Sequence, residues 1–227
     1  MIKVSAKGLI SVLITLVPVR QMRIWLLNRI PGYKVSFSSS VGLFNYISSG
    51  NILMQDAQIG SFNWIDAKDL VMKQGSIIRR FNRFKHLHML HLDELAIIQS
   101  HNGIFAPEKK AKYHEVAFDF SSQNLFLGRR SELLRKNYVD LTRSLTIGNN
   151  VVVGGNGSEF WTHGYDINRN IIVGAIVIGD DIFIGSGCIF SPSAKIASSI
   201  TIAPGSVIYK ELNMKGMYTS HNLYKKK

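Results

Sequence analysis

The sequence predicts a mainly β fold, a three-sided coil of short parallel strands preceded by a helix. Three observations carry this reading. Apolar residues recur every six positions: Val35, Val41, Ile47, Leu53, Ile59, Ile65, Val71 and Ile77, then Ile172, Ile178, Ile184, Phe190, Ile196, Ile202 and Ile208. Modest side chains follow four positions later in the first run (Ser39, Asn45, Asn51, Ala57, Asn63, Asp69, Gly75), and Gly179 and Gly185 directly follow repeat positions in the second. The chain has 27 isoleucines against 11 alanines, a bias that suits strands better than helices. A helix repeats at about 3.6 residues and a flat strand at about 2, so neither explains a period of six. A strand-and-turn unit does. Each unit points one bulky side chain inward, three units close a turn of about 18 residues, and stacked turns bury the column.

Residues 1–34 form a lead-in. The apolar run 9–19 is 11 residues long, whereas about 20 are needed to span a bilayer. No small-x-small cleavage site follows it, so a signal peptide is not expected. Leu9, Val12, Leu13, Leu16 and Val17 share one helical face, and Pro18 interrupts the helix before Ile24 and Leu27 continue the spacing. The expectation is an amphipathic helix that packs on the body or dips into a membrane interface. The coil then occupies 35–212, with excursions around 81–146, where the phase breaks, and around 155–171. Segment 106–116 is polar, charged and without period. Residues 213–227 form a tail.

Composition limits the function classes. The 227 residues are 46% hydrophobic and 19% charged, unlike a disordered chain. A single cysteine, Cys188, excludes a disulfide framework and a cysteine-based zinc site. The net charge of +12 favours an anionic partner. The basic groups at 79–85, 109–112, 129–136 and 225–227 are dispersed, without an RNA-binding aromatic motif or a helix-turn-helix pattern, so nucleic acid is not the expected partner.

The chemistry points to one loop. His86, His88 and His91 lie close in sequence, yet no carboxylate joins them before Asp93 and Glu94, so no metal is assigned. His163 stands in Glu159-Phe160-Trp161-Thr162-His163-Gly164-Tyr165-Asp166, after a Gly-rich turn, where the repeat breaks between coils. An imidazole titrates near the pH at which a general base works. Glu159 or Asp166 is expected to accept its second ring N–H and fix the tautomer. Cys188 sits at an inward-facing position, which argues against a thiol nucleophile.

The hexads, with a Gly-rich turn and F-W-T-H-G before further hexads, resemble the hexapeptide-repeat family. They are similar in particular to its acetyltransferases of bacterial polysaccharide and lipopolysaccharide assembly. The resemblance implies a left-handed parallel β-helix and acetyl-CoA as co-substrate, with no metal required. It implies that His163 deprotonates an acceptor hydroxyl, which attacks the thioester. Gly164 is then the expected backbone donor to the oxyanion, and Trp161 a wall of the acceptor pocket. Ile202-Ala203-Pro204-Gly205-Ser206-Val207-Ile208-Tyr209-Lys210 is similar to the family's closing stretch. This implies that Pro204, with Ser186 one coil earlier, contacts the pantetheine arm, and that Tyr209 and Lys210 meet the nucleotide end, helped by Lys225, Lys226 and Lys227. The resemblance further implies a homotrimer, a sugar or glycan acceptor and a cytoplasmic setting; peripheral membrane contact through the first helix stays the alternative to its packing on the body. The residues leave an N-acetyltransferase of amino sugars and a non-catalytic β-helix scaffold as alternatives.

Overall fold

The computed structural model describes residues 5–220 apart from 110, 111, 114 and 115. Lys225, Lys226 and Lys227 lie outside the described residues. Helix α1 spans Ala6–Thr15 and α2 spans Arg20–Leu27, with Pro18 in the break between them. Ser5 caps α1, its Oγ accepting from the Gly8 N–H at 3.0 Å.

α1 packs on the body through the face opposite its apolar stripe. Gly8, Ser11, Ile14 and Thr15 are its buried residues, whereas Leu9, Leu13 and Leu16 face solvent. The reason lies in the strand beneath. Tyr46–Met54 opens one face of the coil, and its first residues have no strand below them, so their backbone N–H groups need partners. Ser11 Oγ accepts from the Ile47 N–H at 2.7 Å, and Thr15 Oγ1 from the Asn45 N–H at 3.0 Å. Gly8 permits the close approach, since a Cβ there would overlap the Tyr46 ring. Hydroxyls that terminate a strand edge decide the orientation, and the apolar stripe is left outside.

From Tyr33 the chain winds into a parallel solenoid of about nine turns with three faces. The middle face stacks nine strands, from Ser40–Val41 to Gly216–Tyr218. The flanking faces belong to one 13-stranded sheet, because Tyr46–Met54, Trp64–Met72 and Arg83–Leu92 run unbroken from the third face of one coil into the first face of the next. The interior is the predicted apolar column. Ile178, Ile184, Phe190, Ile196, Ile202 and Ile208 are all buried, and Ile147, Ile178 and Ile196 stack in register.

Four predicted column positions are displaced. Leu53, Val71 and Ile77 lie outside the buried core, and Met54, Met72 and Ile78 point inward in their place. Crossing the corner inside a continuous strand takes a seventh residue, so the inward position passes from Ile47 to Met54 and from Ile65 to Met72. Ile172 is also exposed, because it belongs to an excursion. The coil continues through most of 81–146. Phe84, Ile104 and Val139 stack on one face, and among the described residues of that span the chain leaves the coil only between Phe105 and Asn124.

One corner is held by a buried asparagine ladder. Asn45, Asn63, Asn82 and Asn102 each accept, at 2.9 Å, the backbone N–H of the next member, ending at Asn137. The residue before each of the first three has positive φ and is a phenylalanine. Phe44, Phe62 and Phe81 stack at 5.0–5.2 Å, so ring contact accompanies the backbone strain.

Candidate active site

The site forms where the chain leaves the sixth coil. Glu159–Trp161 is a strand of the third face, paired to Tyr138–Asp140 below it, so the excursion begins at Thr162 and not at 155. It is a β-hairpin in which His163–Tyr165 pairs antiparallel with Ile171–Val173. His163 therefore stands at the hairpin's base, directly over the end of the strand beneath.

That strand supplies the partner. Val139 points into the core, so its neighbour Asp140 points outward, where the hairpin covers it until its side chain is 8% exposed. Asp140 Oδ2 accepts from His163 Nδ1 at 2.7 Å, and from the backbone N–H groups of Thr162 and His163 at 3.1 Å each. Its Oδ1 accepts from Thr142 Oγ1 at 3.0 Å. Thr162 Oγ1 lies 3.0 Å from the Asp140 carbonyl and accepts the Arg143 N–H at 2.8 Å, which ties the hairpin base to the strand. A carboxylate can only accept, so the ring proton sits on Nδ1 and Nε2 carries the free lone pair. The hydrogen bond to Asp140 raises the His163 pKa above the ordinary imidazole value; its charge adds to the rise, and burial opposes it. The arrangement can take a proton at Nε2 and hold the resulting imidazolium against a fixed carboxylate.

The predicted orienting carboxylates are elsewhere. Glu159 Oε2 accepts the Trp161 indole N–H at 2.8 Å. Asp166 closes the hairpin's own turn, accepting from the N–H groups of Asn168 and Asn170 at 2.8 Å each; the bonds from Asn170 hold its pKa below the usual carboxylate value. Gly164 is corrected as an oxyanion donor. The Gly174 N–H donates to Thr162 O and the Asp166 N–H to Asn170 O, so the ladder's alternation makes Gly164 and Ile172 a hydrogen-bonded pair. Its N–H is spent within the hairpin.

His163, Asp140 and Thr142 line a cavity of about 290 Å³ with Phe105, Tyr138 and Tyr165. Trp161 stands on the outer surface beside it and not in the core, its ring 6.4 Å from His163 and 5.0 Å from Tyr138. Phe105 continues the row at 5.7 Å from Tyr138, and the Arg83 guanidinium lies 5.9 Å from the Phe105 ring. Rings on three coils and a cation on a fourth thus follow one face, leading away from His163.

The residues assigned to acetyl-CoA divide between two places. Ser186 and Pro204 share one corner: Gly185 sits flush against Pro204, and the Ser186 carbonyl accepts the Gly205 N–H at 2.9 Å. Ser186 also edges a cavity of about 460 Å³ lined by Arg80, His101 and Arg135. Tyr209 and Lys210 follow the strand Val207–Ile208 on the third face, in the column that contains Trp161. His163 lies at the opposite edge of that face from Ser186 and Pro204. Cys188 is buried inside the coil, and burial pushes its thiol pKa up. His86, His88 and His91 have separate partners: Asp66, Lys68 with Asn124, and the Phe126 ring.

Sequence reasoning missed Asp140, Thr142 and Tyr138. The signal was present. Val139 lies 21 residues before Phe160, close to one coil, so tracing that coil back from Trp161 reaches Asp140. Reading 81–146 as broken by loops hid it.

No protein-family model matches the sequence, and no curated protein matches it. Among solved structures the chain is similar to a hexapeptide-repeat acetyltransferase, VCA0836 of Vibrio cholerae O1 biovar eltor, in complex with acetyl-CoA. The identity is 21% and the TM-score 0.39, over 44% of this chain and 56% of that one. It is also similar to the polySia-specific acetyltransferase NeuO, at 15% identity and TM-score 0.45, over 82% of this chain and 78% of that one. Both neighbours are acetyltransferases. The fold assignment itself stands on the coils and registers above.

Proposed function

We propose that the chain is an acetyl-CoA-dependent O-acetyltransferase that modifies a sugar hydroxyl in a surface polysaccharide or its precursor, with His163 as general base. The observation that carries the reading is the 2.7 Å contact between His163 Nδ1 and Asp140, which leaves Nε2 available beside a cavity. His163 Nε2 removes the proton of the acceptor hydroxyl. Asp140 orients the ring and stabilises the imidazolium that forms. Trp161, Tyr138 and Phe105 offer faces on which sugar rings pack.

Acetyl-CoA supplies the acyl group: the acceptor oxygen bonds to the thioester carbon, the carbon–sulfur bond breaks, and the departing CoA thiolate takes the proton held on His163 Nε2. Three features suit it: the Ser186–Pro204 corner for the pantetheine arm, and exposed Tyr209 and Lys210 for the nucleotide. Within one chain that corner and His163 lie at opposite edges of a face. A homotrimer, in which one copy's corner meets a neighbour's His163 edge, is the assembly this reading calls for. No step requires a metal.

The test is thiol release from acetyl-CoA with a panel of sugars, comparing the intact protein with His163→Ala. Losing the base is expected to cost about 10²–10⁴-fold in turnover. Unchanged turnover in His163→Ala would refute the assigned role. Acetylation confined to amino sugars would replace O- with N-transfer.

A further inference from the structure

Each of the two helices turns large apolar side chains to solvent. Leu9, Ile10, Leu13 and Leu16 project from α1, and Met22 and Trp25 from α2; Leu13 is 67% exposed. The opposite side of α1 is committed to the strand edge through Gly8, Ser11 and Thr15, so this stripe cannot turn inward without uncapping that edge. Large exposed apolar patches are uncommon on free protein surfaces and mark contact sites.

Charge distinguishes the occupants. Residues 1–55 contain six Lys or Arg and no Asp or Glu; the first acidic residue is Asp56. Arg20 and Arg29 are exposed on α2 and its end, and the Arg29 guanidinium lies 4.3 Å from the Trp25 ring centre. Two copies meeting through this face would bring like charges together. An anionic lipid surface accepts the apolar side chains below its headgroups and the cations among them, with tryptophan at the boundary. Among the described residues no helix is long and apolar enough to cross a membrane. We infer that the α1–α2 hairpin is a docking element for an anionic phospholipid surface, on which the protein lies.

The experiment is vesicle flotation of the full chain with phosphatidylcholine alone and with phosphatidylcholine mixed with phosphatidylglycerol. Partition into the mixed vesicles is expected to exceed that into neutral ones and to fall with added salt. The double variant L13Q/M22Q changes exposed side chains only and should lower partition on the order of tenfold or more. R20Q/R29Q should lower it by about fivefold per cation in anionic vesicles only. Melting temperatures matching the parent show that both variants fold. Failure of the parent to float with anionic vesicles overturns the proposal. So does unchanged partition of L13Q/M22Q, or a fall in its particle mass by light scattering without lipid binding by the parent, which would assign the face to a second copy.

Discussion

Two aspartates occupy equivalent slots of the third face, three coils apart, and each meets a histidine. Asp66 follows Ile65 and Asp140 follows Val139, and the inward residues of both coils stack in one column through Phe84 and Ile104. His86 Nδ1 lies 3.0 Å from Asp66, and the two side chains are 37% and 33% exposed. His163 Nδ1 lies 2.7 Å from Asp140, which accepts as well from the Thr142 hydroxyl and from the backbone N–H groups of Thr162 and His163. The residue pair is the same; the covering differs. Over Asp66 the chain continues as coil, with His86 at a strand irregularity where its φ is +62°. Over Asp140 a hairpin folds back and closes the carboxylate off from water. Exposed ion pairs are weak and loosely oriented. A carboxylate held by four donors can fix one tautomer of its histidine, which a general base needs.

The comparison can be tested by removing each carboxylate. Asp140→Asn should reduce turnover on the order of 10²-fold, because the ring loses its orienting and stabilising partner. The pH profile should move as well. Asp140 raises the His163 pKa, so the rate of the intact protein climbs as pH rises through that elevated value, and in Asp140→Asn the climb should shift to lower pH. A profile that stays in place would separate the carboxylate from the titrating group. The same elevation has a stability consequence: the pair's contribution is full below the ordinary imidazole pKa and fades as pH rises through the folded value. Denaturation of His163→Ala should therefore show a larger deficit against the parent at pH 5.5 than at pH 9.

A smaller effect is expected from the rings beside the dyad. Trp161→Ala should raise the acceptor KM about fivefold with a lesser change in kcat, since an aromatic contact contributes on the order of 1 kcal/mol. A selective fall in kcat would instead tie Trp161 to the placement of His163. The smallest effect belongs to the other pair. Asp66→Asn and His86→Ala should leave turnover within about twofold and stability within about 0.5 kcal/mol, as for an exposed ion pair. A large loss of turnover in either would show that the first coils take part in the reaction.

Much of this organisation was legible before any coordinates. The column through Ile178, Ile184 and Ile196 follows from counting by six, as does the place of His163 where the period fails. Less legible was the length of each coil. Ile47 to Ile65 is 18 residues, Ile65 to Phe84 is 19 and Phe84 to Ile104 is 20, and a strict count slides off the interior by the position of Leu53. The same drift concealed Asp140, whose nearness to His163 depends on how many residues the intervening corners take. Glu159 and Asp166 are nearer in sequence, yet one serves an indole and the other a turn.

By itself the sequence determined the repeating interior, because every unit meets the same requirement: one bulky side chain turned away from water. Tertiary structure alone decided what stands beside what on the outside. The orientation of α1 was settled by the unpaired N–H groups of Asn45 and Ile47, and the partner of His163 by a strand one coil below it. Burial repeats with the chain, whereas contacts between outward side chains depend on corner lengths and on the excursions that fold over them.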